Sequence, residues 1–366
     1  MSKNKLKLEK ICTFFNGRTK PNSKGRFPVY GGNGIISYIN HYNADNILVI
    51  GRVGAYCGNV FYSRNKCWVS DNAIGIILNE NVSNIKYIFY FLGKTNIRNL
   101  AIGSSQPLIT QDILKNIEID LPSLEEQKRI ADILTALDDK IELNNQMNQT
   151  LEEIASLLYK RWFVDFEFPD DKGNPYKSSG GEMVDSELGM IPKGWEVKEL
   201  GEIIKFIKGK KPNKIKENKV VGYERYMTIK GITNTEILYA DPENTIKIGH
   251  NDVSMVMDGA SSGDIYTNIE GVLSSTFSKI ETEVPNSYIF QVLNYYESDI
   301  KKNLTGSAIP HTDKGYINRL LIVVPKNLLL EKLSKKFAFF IQYINGNIKE
   351  SNVLSEQKKI ILKILI

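Results

Sequence analysis

The stretch Leu121-Pro122-Ser123-Leu124-Glu125-Glu126-Gln127-Lys128-Arg129-Ile130 opens a long helical pattern that organises the rest of the chain. After it, one row of positions recurs at alternating steps of four and three residues, apolar at both ends and polar in the middle: Ile130, Leu134, Leu137, Ile141, Asn144, Asn148, Leu151, Ala155, Leu158 and Trp162. Steps of four and three give the period of about 3.5 residues that is typical of a coiled-coil seam. The pattern predicts one helix from Ser123 to Val164, about 63 Å long.

The same pattern returns near the end of the chain, 203 positions later. Its seam is again apolar at both ends and polar in the middle: Leu333, Phe337, Phe340, Ile344, Asn347, Ser351, Leu354, Lys358, Ile361 and Leu365. Shared short motifs precede both helices, namely Leu8–Gly17 and Leu200–Gly209, Gly54–Gly58 and Gly259–Gly263, Gly103–Pro107 and Gly306–Pro310, with Ser70 aligned to Ser275. An ordered series of matches indicates an internal duplication.

The duplication divides the chain into five segments. We expect a first globular domain at 1–122, a long helix at 123–165, a Pro- and Gly-rich linker at 166–194, a second globular domain at 195–325 and a C-terminal long helix at 326–366. Short apolar runs between glycine turns predict strands at 46–50, 59–63, 116–121, 254–257 and 320–324, with helices at 85–92 and 288–296. The predicted fold is α+β, with two similar globular domains, related by the internal repeat, and two long helices with coiled-coil seams.

Composition narrows the class of protein. The hydrophobic fraction of 42% and charged fraction of 24% are those of a folded globular chain. The apolar runs are too short for a membrane helix, the N-terminus lacks a secretory pattern, and three cysteines without a CxxC motif fit neither a disulfide framework nor a zinc site. We therefore expect a cytoplasmic protein without metal or membrane contact.

Charge is distributed unevenly between the two predicted domains. Residues 1–122 carry 15 Lys and Arg against 7 Asp and Glu, whereas residues 195–325 carry 16 against 17. A basic first domain is typical of a protein that binds an anionic partner such as nucleic acid, although many solvated surfaces are also rich in lysine.

The entry to the first long helix, Pro122-Ser123-Leu124-Glu125-Glu126-Gln127 followed by Leu134 and Leu137-Asp138, resembles the central helix of type I restriction-modification specificity subunits. The Gly-Ser…Pro approach to each helix and the segment Gly189–Trp195 resemble the same family. The second copy departs from the pattern, because Pro325 is followed by Lys326-Asn327-Leu328-Leu329-Leu330-Glu331 without the Glu-Gln pair.

The resemblance implies a function and a set of partners. Each globular domain would be a target recognition domain that reads one half of a bipartite site in double-stranded DNA. The two long helices would separate the target recognition domains and form an antiparallel coiled coil about a pseudo-twofold axis, in which Asn144 faces Asn347. They would set the spacing and dock two methyltransferase subunits, and restriction subunits would join through the complex. It also implies no cofactor in this chain, with S-adenosylmethionine on the methyltransferase subunits and ATP and Mg on the restriction subunits.

Motifs that would indicate catalysis are weak, so we predict a specificity subunit that is not itself an enzyme. Asn174-Pro175-Tyr176 lacks a proline of the amino-methyltransferase box, and Gly31-Gly32-x-Gly34 lacks the Lys-Ser/Thr of a phosphate-binding loop. Asp71, Asp112 and Asp120 do not form a nuclease pattern. Two alternatives remain open: a free-standing sequence-specific DNA-binding adaptor, and a coiled-coil protein scaffold that does not bind DNA.

Candidate DNA contacts lie in the glycine-rich loops, because Arg, Asn, Gln and Ser read base edges while Lys mostly holds phosphate. In the first domain they are Arg18, Lys20, Lys24, Arg26, Tyr30, Asn33, Arg52, Ser104, Ser105 and Gln106. In the second they are Lys210, Lys211, Lys214, Ser261, Ser262, Ser275, Thr276, Ser307 and Thr312. We interpret His311 as a loop histidine with its hydrogen bonds satisfied.

Overall fold

The chain divides into two compact units in a computed structural model that describes residues 5–103, 106–325 and 327–366. The first unit contains Met1–Leu143 and Glu350–Ile366, and the second contains Asn144–Lys349. Both boundaries fall inside the two long helices, so each unit combines a globular α+β part with one segment of each helix.

Among its described residues, the first unit holds nine strands and two short α-helices before the first long helix. The strands are β1 (Lys5–Lys7), β2 (Cys12–Asn16), β3 (Phe27–Gly31), β4 (Gly34–Ile39), β5 (Ile47–Gly51), β6 (Val60–Ser63), β7 (Trp68–Val69), β8 (Ala73–Leu78) and β9 (Glu118–Asp120), and the helices are α1 (Ile85–Lys94) and α2 (Gln111–Lys115). They form a four-stranded antiparallel sheet in the order β2-β8-β5-β6, a three-stranded sheet in the order β4-β3-β7, and the pair β1-β9.

The long helices are α3 (Leu124–Tyr159) and α7 (Asn327–Leu365), and the second unit holds the elements between them. Its strands are β10 (Met183–Val184), β11 (Ile191–Pro192), β12 (Glu196–Glu199), β13 (Ile204–Lys208), β14 (Ile215–Lys216), β15 (Glu224–Met227), β16 (Tyr239–Ala240), β17 (Lys247–Ile248), β18 (Val253–Val256), β19 (Ile265–Tyr266), β20 (Gly271–Leu273), β21 (Phe277–Thr282) and β22 (Leu321–Val324), and its helices are α4 (Ile229–Ile232), α5 (Asn286–Lys302) and α6 (Lys314–Asn318). The sheets run β13-β21-β18-β19, β14-β16-β15-β20-β17, β12-β22 and β10-β11.

The two globular parts share one topology. The order β2-β8-β5-β6 in the first unit matches β13-β21-β18-β19 in the second, and each part contains a parallel pair, β3 with β7 and β15 with β20. The pair β1-β9 likewise matches β12-β22. The structure therefore confirms the predicted α+β class with two similar domains.

A close backbone approach corrects one detail of the predicted alignment. A Cβ on Gly17 would lie 1.9 Å from the Ser70 carbonyl oxygen, and a Cβ on Gly209 would lie 2.1 Å from the Ser274 carbonyl oxygen. Only glycine fits at either place. The structural equivalent of Ser70 is therefore Ser274 and not Ser275.

The seam residues face inward in both units. The apolar members Ile130 and Leu134 are buried in the first unit, as are Leu333 and Phe337 in the second. Among the remaining predicted seam positions, Ala155, Trp162 and the polar pair Asn144 and Asn347 are buried. The others are partly buried, namely Leu137, Ile141, Asn148, Leu151, Leu158, Phe340, Ile344, Ser351, Leu354, Lys358, Ile361 and Leu365.

Contacts across the seam give the direction of the helices. In the first unit Lys358 Nζ lies 2.6 Å from Asp138 Oδ1, and Lys140 Nζ lies 3.1 Å from Glu350 Oε2, so α3 and the end of α7 run antiparallel. Tyr90 Oη of α1 donates to Asp138 Oδ2 at 2.8 Å, which ties this domain to both helices.

The predicted pairing of the two central asparagines is confirmed. Asn144 Nδ2 donates to the Asn347 carbonyl oxygen at 3.4 Å, and Asn347 Nδ2 donates to Asn148 Oδ1 at 2.8 Å. Both contacts lie inside the second unit.

The first long helix ends differently from the prediction. Its last turn, Lys160–Val164, is a π-helix, and Phe166 then adopts a left-handed backbone with φ of 60°. A bulky residue rarely adopts this conformation. Phe166 is nevertheless buried against Trp195, with ring centroids 5.8 Å apart, so aromatic packing stabilises the turn.

The stretch predicted to be a linker, 166–194, is packed into the second unit. Phe168 stacks on Trp195 at 4.9 Å and on Tyr176 at 4.6 Å, and Ile191 of β11 is buried in the same core. Proline and glycine therefore mark turns here and not an extended connection.

Candidate nucleic-acid interface

In the first unit a glycine turn follows β5. Gly54 and Gly58 have φ of 79° and 88°, a left-handed conformation that favours glycine. Cys57 N donates to the Gly54 carbonyl at 3.1 Å, and Gly58 N donates to the Gly51 carbonyl at 2.8 Å. These bonds hold the turn in one conformation.

A hairpin loop braces this turn from the side. Ile102 and Leu108 exchange two backbone hydrogen bonds, of 3.0 and 2.8 Å. The Pro107 carbonyl then accepts from Gly54 N at 3.1 Å, which joins loop to turn. Two loops far apart in sequence thus form one surface.

The second unit repeats this construction bond for bond. Gly259 and Gly263 also have positive φ, and Gly263 N donates to the Val256 carbonyl at 3.0 Å. Thr305 and His311 exchange backbone bonds of 2.9 and 2.8 Å, and Gly259 N donates to the Pro310 carbonyl at 2.9 Å.

The side chains on these matched frames differ. The hydrogen bonds from Arg52 N to the Asn72 carbonyl and from Met257 N to the Thr276 carbonyl show which positions correspond. Arg52 is replaced by Met257 and Asn72 by Thr276, while the hairpin exchanges Gln106 for Ile309 and Leu108 for His311. One backbone framework therefore presents two different sets of chemical groups.

In the first unit the predicted contact residues are mostly on the surface. Arg18, Lys20, Lys24, Arg26, Asn33 and Gln106 are exposed, while Ser104 and Ser105 lie outside the described residues. Among the residues that the structure describes, no carboxylate pairs with the four cations, and Arg26 lies over the Phe27 ring at 4.9 Å. Their charge is therefore available to an anionic ligand.

Arg52 is half-buried at the base of the glycine turn. Its Nε is buried and has no hydrogen-bond partner within the described part of the chain. A buried polar group without a partner is costly, so an acceptor supplied by a ligand would lower the free energy of this side chain.

In the second unit Lys210, Lys211, Lys214, Thr276 and Ser307 are exposed, and Ser261 and Ser275 are partly buried. The lysines follow β13 directly, as Arg18 and Lys20 follow β2 in the first unit. The domain is neutral in total, so this cluster supplies a local positive field.

Three predicted contact residues belong to the interior and leave the candidate interface. Tyr30 is 8% exposed and packs on Phe61, with ring centroids 6.2 Å apart. Ser262 Oγ lies 2.8 Å from both the Gly259 and the Pro310 carbonyl oxygens, which share its one hydrogen, and Thr312 Oγ1 donates to the Val256 carbonyl at 2.7 Å. These hydroxyls join loop to turn and are not directed at a ligand.

The sequence prediction missed an ionic group beside the second glycine turn. His311 Nδ1 lies 2.8 Å from Asp258 Oδ1, and Lys208 Nζ lies 3.7 Å from Asp258 Oδ2. Asp258 and His311 are 53 positions apart, so only the folded chain reveals the pair. The interpretation of His311 as a satisfied histidine holds for Nδ1, its bonded nitrogen.

A metal site and a membrane-spanning helix each place requirements on the described residues. Within residues 5–103, 106–325 and 327–366, no group of three or more His, Cys, Asp or Glu is placed to hold a metal ion. None of the helices described is long and apolar enough to cross a membrane.

The fold and the paired loops define a class of protein with two related domains, each presenting a glycine-rich loop surface, and two long helices. The family model for the type I restriction modification DNA specificity domain matches twice, at residues 2–153 and 192–353. The chain belongs to this family. Its identification as a DNA specificity subunit, which recognises DNA and is not the catalyst, is confirmed.

Individual relatives agree. The specificity subunit of the type I restriction enzyme MjaIX from Methanocaldococcus jannaschii is 27% identical over 330 residues, which cover 84% of this chain and 74% of that protein. The HindI specificity subunit from Haemophilus influenzae is 25% identical over 319 residues, covering 70% of each chain. A solved S subunit of a type I restriction-modification system from M. genitalium superposes with a TM-score of 0.70 and 19% identity, covering 99% of this chain and 96% of that one, which shows a shared fold.

Proposed function

We propose that each globular domain reads one half of a bipartite site in double-stranded DNA through its glycine turn and hairpin. The observation that carries this proposal is that the two units share the same backbone hydrogen bonds in the turn and hairpin but carry different side chains there. Arg52 and Gln106 of the first unit correspond to Met257 and Ile309 of the second. If both domains bound the same ligand, we would expect the same side chains at equivalent positions of the two turns and hairpins. Two different half-sites account for both the likeness and the difference.

Within each half-site the residues divide by chemistry. The exposed cations Lys20, Lys24 and Arg26 in the first domain, and Lys210 and Lys211 in the second, would hold phosphates and position the duplex. Arg52 and Gln106 carry bidentate hydrogen-bonding groups, which suit guanine and adenine edges respectively. Sequence would therefore be read mainly from the loops and affinity would come mainly from the flanking lysines.

The helices would set the spacing between half-sites and dock two methyltransferase subunits. Support comes from apolar side chains that are exposed outside the seam. They are Met147, Ile154, Leu157, Phe339 and Tyr343 in the second unit and Leu143, Val353, Ile360 and Ile364 in the first. Exposed apolar patches of this kind mark protein contacts.

The remaining parts of the complex belong to its other subunits. Restriction subunits would join through the methyltransferase complex, which would work in the cytoplasm. S-adenosylmethionine would be held by the methyltransferase subunits, and ATP and Mg by the restriction subunits.

Modified-base sequencing tests the proposal directly. Cells that carry the chain with its methyltransferase partners should show methylation at one bipartite motif, and cells lacking only this chain should show none. Methylation at a motif with a single uninterrupted half would contradict the two-domain assignment.

Binding experiments separate the alternatives. A free-standing adaptor would bind the motif tightly as the isolated chain, whereas a protein scaffold would show no salt-dependent DNA binding.

A further inference from the structure

We infer that Asp258 and His311 form a base-reading pair in the second domain, in which the carboxylate fixes the imidazole so that Nε2 accepts a hydrogen bond from a base amino group. This inference rests on the proposed function, because it assumes that the second glycine turn faces DNA. It adds a specificity-determining residue and the chemical class of its ligand.

The backbone holds both residues in place. Asp258 comes directly before the turn glycine Gly259, and His311 closes the hairpin through its two backbone bonds to Thr305. A β-bridge also joins Asp258 to His311. Neither residue needs to move for the side chains to meet, so the imidazole is positioned before any ligand arrives.

The side-chain contact determines which ring nitrogen carries the hydrogen. Asp258 Oδ1 lies 2.8 Å from His311 Nδ1, and an ionised carboxylate can only accept. Nδ1 therefore donates, which leaves Nε2 of the neutral ring as an acceptor. The His311 side chain is 48% exposed, so the imidazole is accessible to a ligand.

An acceptor selects bases that offer a donor. In the major groove the donors are the N4 amino group of cytosine and the N6 amino group of adenine, whereas guanine and thymine present acceptors at the corresponding places. The pair should therefore favour an amino-bearing base at one position.

Lys208 reduces the electrostatic repulsion between the Asp258 carboxylate and DNA. Its Nζ lies 3.7 Å from Asp258 Oδ2, on the oxygen that His311 does not use. A bare carboxylate would repel the phosphate backbone, and the lysine offsets this charge.

The first domain shows that the fold does not require this pair. The equivalent bridge joins Val53 to Leu108, and the hairpin keeps the same two backbone bonds. The double variant Asp258→Val with His311→Leu reproduces that apolar pair and is a matched control for folding.

The experiment compares methylated motifs in cells that produce the full chain with its methyltransferase partners. His311→Ala and the D258V/H311L double variant should each relax one base pair in one half-site, with discrimination there reduced roughly tenfold. The other half-site should stay unchanged. Melting temperatures of the purified proteins should remain close to the wild-type value.

The variant Asp258→Asn distinguishes a role of the pair in base recognition from a purely structural role. An Asn amide can donate to Nδ1, which frees Nε2 to carry the hydrogen, so the base preference should change at the same base pair. A purely structural role would lower methylation at all sites without altering preference.

Unchanged discrimination in every variant overturns the inference. If the wild-type chain gives no bipartite motif, the proposed function fails and this inference fails with it. If the wild-type motif is present and the variants retain it, only this inference fails.

Discussion

At the scale of single residues, Gln127 shows why the Glu-Gln helix entry matters. Its side chain is fully buried, donates to the Val82 and Pro122 carbonyls at 3.0 and 2.9 Å, and accepts from Asn84 N at 2.8 Å. Asn84 in turn caps α1. One amide thus connects the domain to its helix. The second copy has Leu330 at the equivalent position, buried in an apolar core. The junction between domain and helix is therefore held by hydrogen bonds in the first copy and by apolar packing in the second.

Replacing Gln127 by Leu should therefore destabilise the first unit. Three partly buried backbone groups would lose their partner. At about 1 kcal/mol each, the low end for an unsatisfied group, we expect a total loss of about 3 kcal/mol. Urea unfolding of the purified chain measures it. Glu126→Ala, which removes the surface pair with Arg129 and leaves the hydrogen bonds of Gln127 in place, is the control and should leave the urea midpoint nearly unchanged. Equal effects of both changes would show that the amide is not the connection.

Tyr87 gives a prediction for alkaline pH. It is 2% exposed, and burial, with help from Asp120 and Glu126, raises its pKa to about 12 from an ordinary value near 10. A raised pKa means that the folded state retains the proton more strongly. The stability that this tyrosine contributes is complete below about pH 10 and is lost as the pH rises toward about 12.

Tyr87→Phe should consequently reduce the fall in melting temperature between about pH 8 and about pH 11. Part of the fall should remain, because other buried tyrosines still titrate. Tyr56→Phe, at an exposed position, is the control. An unchanged pH dependence in Tyr87→Phe would assign the alkaline loss to other groups.

The exposed cations predict a different kind of effect, on affinity. Changing Lys20, Lys24 and Arg26 together to Ala should weaken binding to every DNA sequence and flatten the dependence of affinity on salt by about one unit for each lost phosphate contact. Replacing Gln106 or Arg52 should instead cost about 1–3 kcal/mol at one base pair. Titrations of the assembled complex at several salt concentrations distinguish the two. A triple variant with the wild-type salt slope would remove these cations from the phosphate contacts.

At the scale of elements, period and turn residues predicted the two long helices, the shorter helices α1 and α5, and five of the strands, whereas the other strands were not predicted. The helix at 85–92 is observed as α1, and the strands at 46–50 and 254–257 as β5 and β18, each within one or two residues. The helix at 288–296 is longer, as α5, because its apolar pattern gives way to charged pairs such as Glu297 with Lys301. A helix stabilised by such pairs has no apolar period to detect.

Tertiary partners explain the parts that the sequence could not predict. Nothing in the sequence marks Phe166 as left-handed, because the stabilising contact is with Trp195. Ser262 and Thr312 were predicted on the surface because their types and loop positions suit a ligand, and their carbonyl partners appear only when loop and turn meet. The Asp258–His311 pair was missed for the same reason. Glycine turns were predictable because the positive φ is a local requirement.

The asparagine pair gives a prediction for the helices. Asn144 is fully buried and Asn347 is 9% exposed. Buried asparagine in a coiled coil fixes register at a cost in stability. The double change to Leu should therefore raise the melting temperature, as measured by circular dichroism. A lowered melting temperature would contradict the assignment of these residues to register.

At the scale of the whole molecule, the proposed bipartite reading makes the two helices a ruler. Inserting seven residues preserves the alternating seam, whereas four would turn one face of a helix against the other. One heptad between Asn145 and Gln146, with another between Ile348 and Lys349, keeps the two copies matched. Each helix then grows by about 10 Å, since each residue adds about 1.5 Å.

Because stacked base pairs are about 3.4 Å apart, the unread spacer should lengthen by up to about three base pairs. Neither half-site should change, since the loops that read them are untouched. Methylome sequencing of cells that carry the extended chain with its partner subunits gives the result, and a four-residue insertion at the same places is the control, with loss of methylation expected. Modification retained at the original spacing would falsify the ruler, because something other than these helices would then hold the two domains at their distance on DNA.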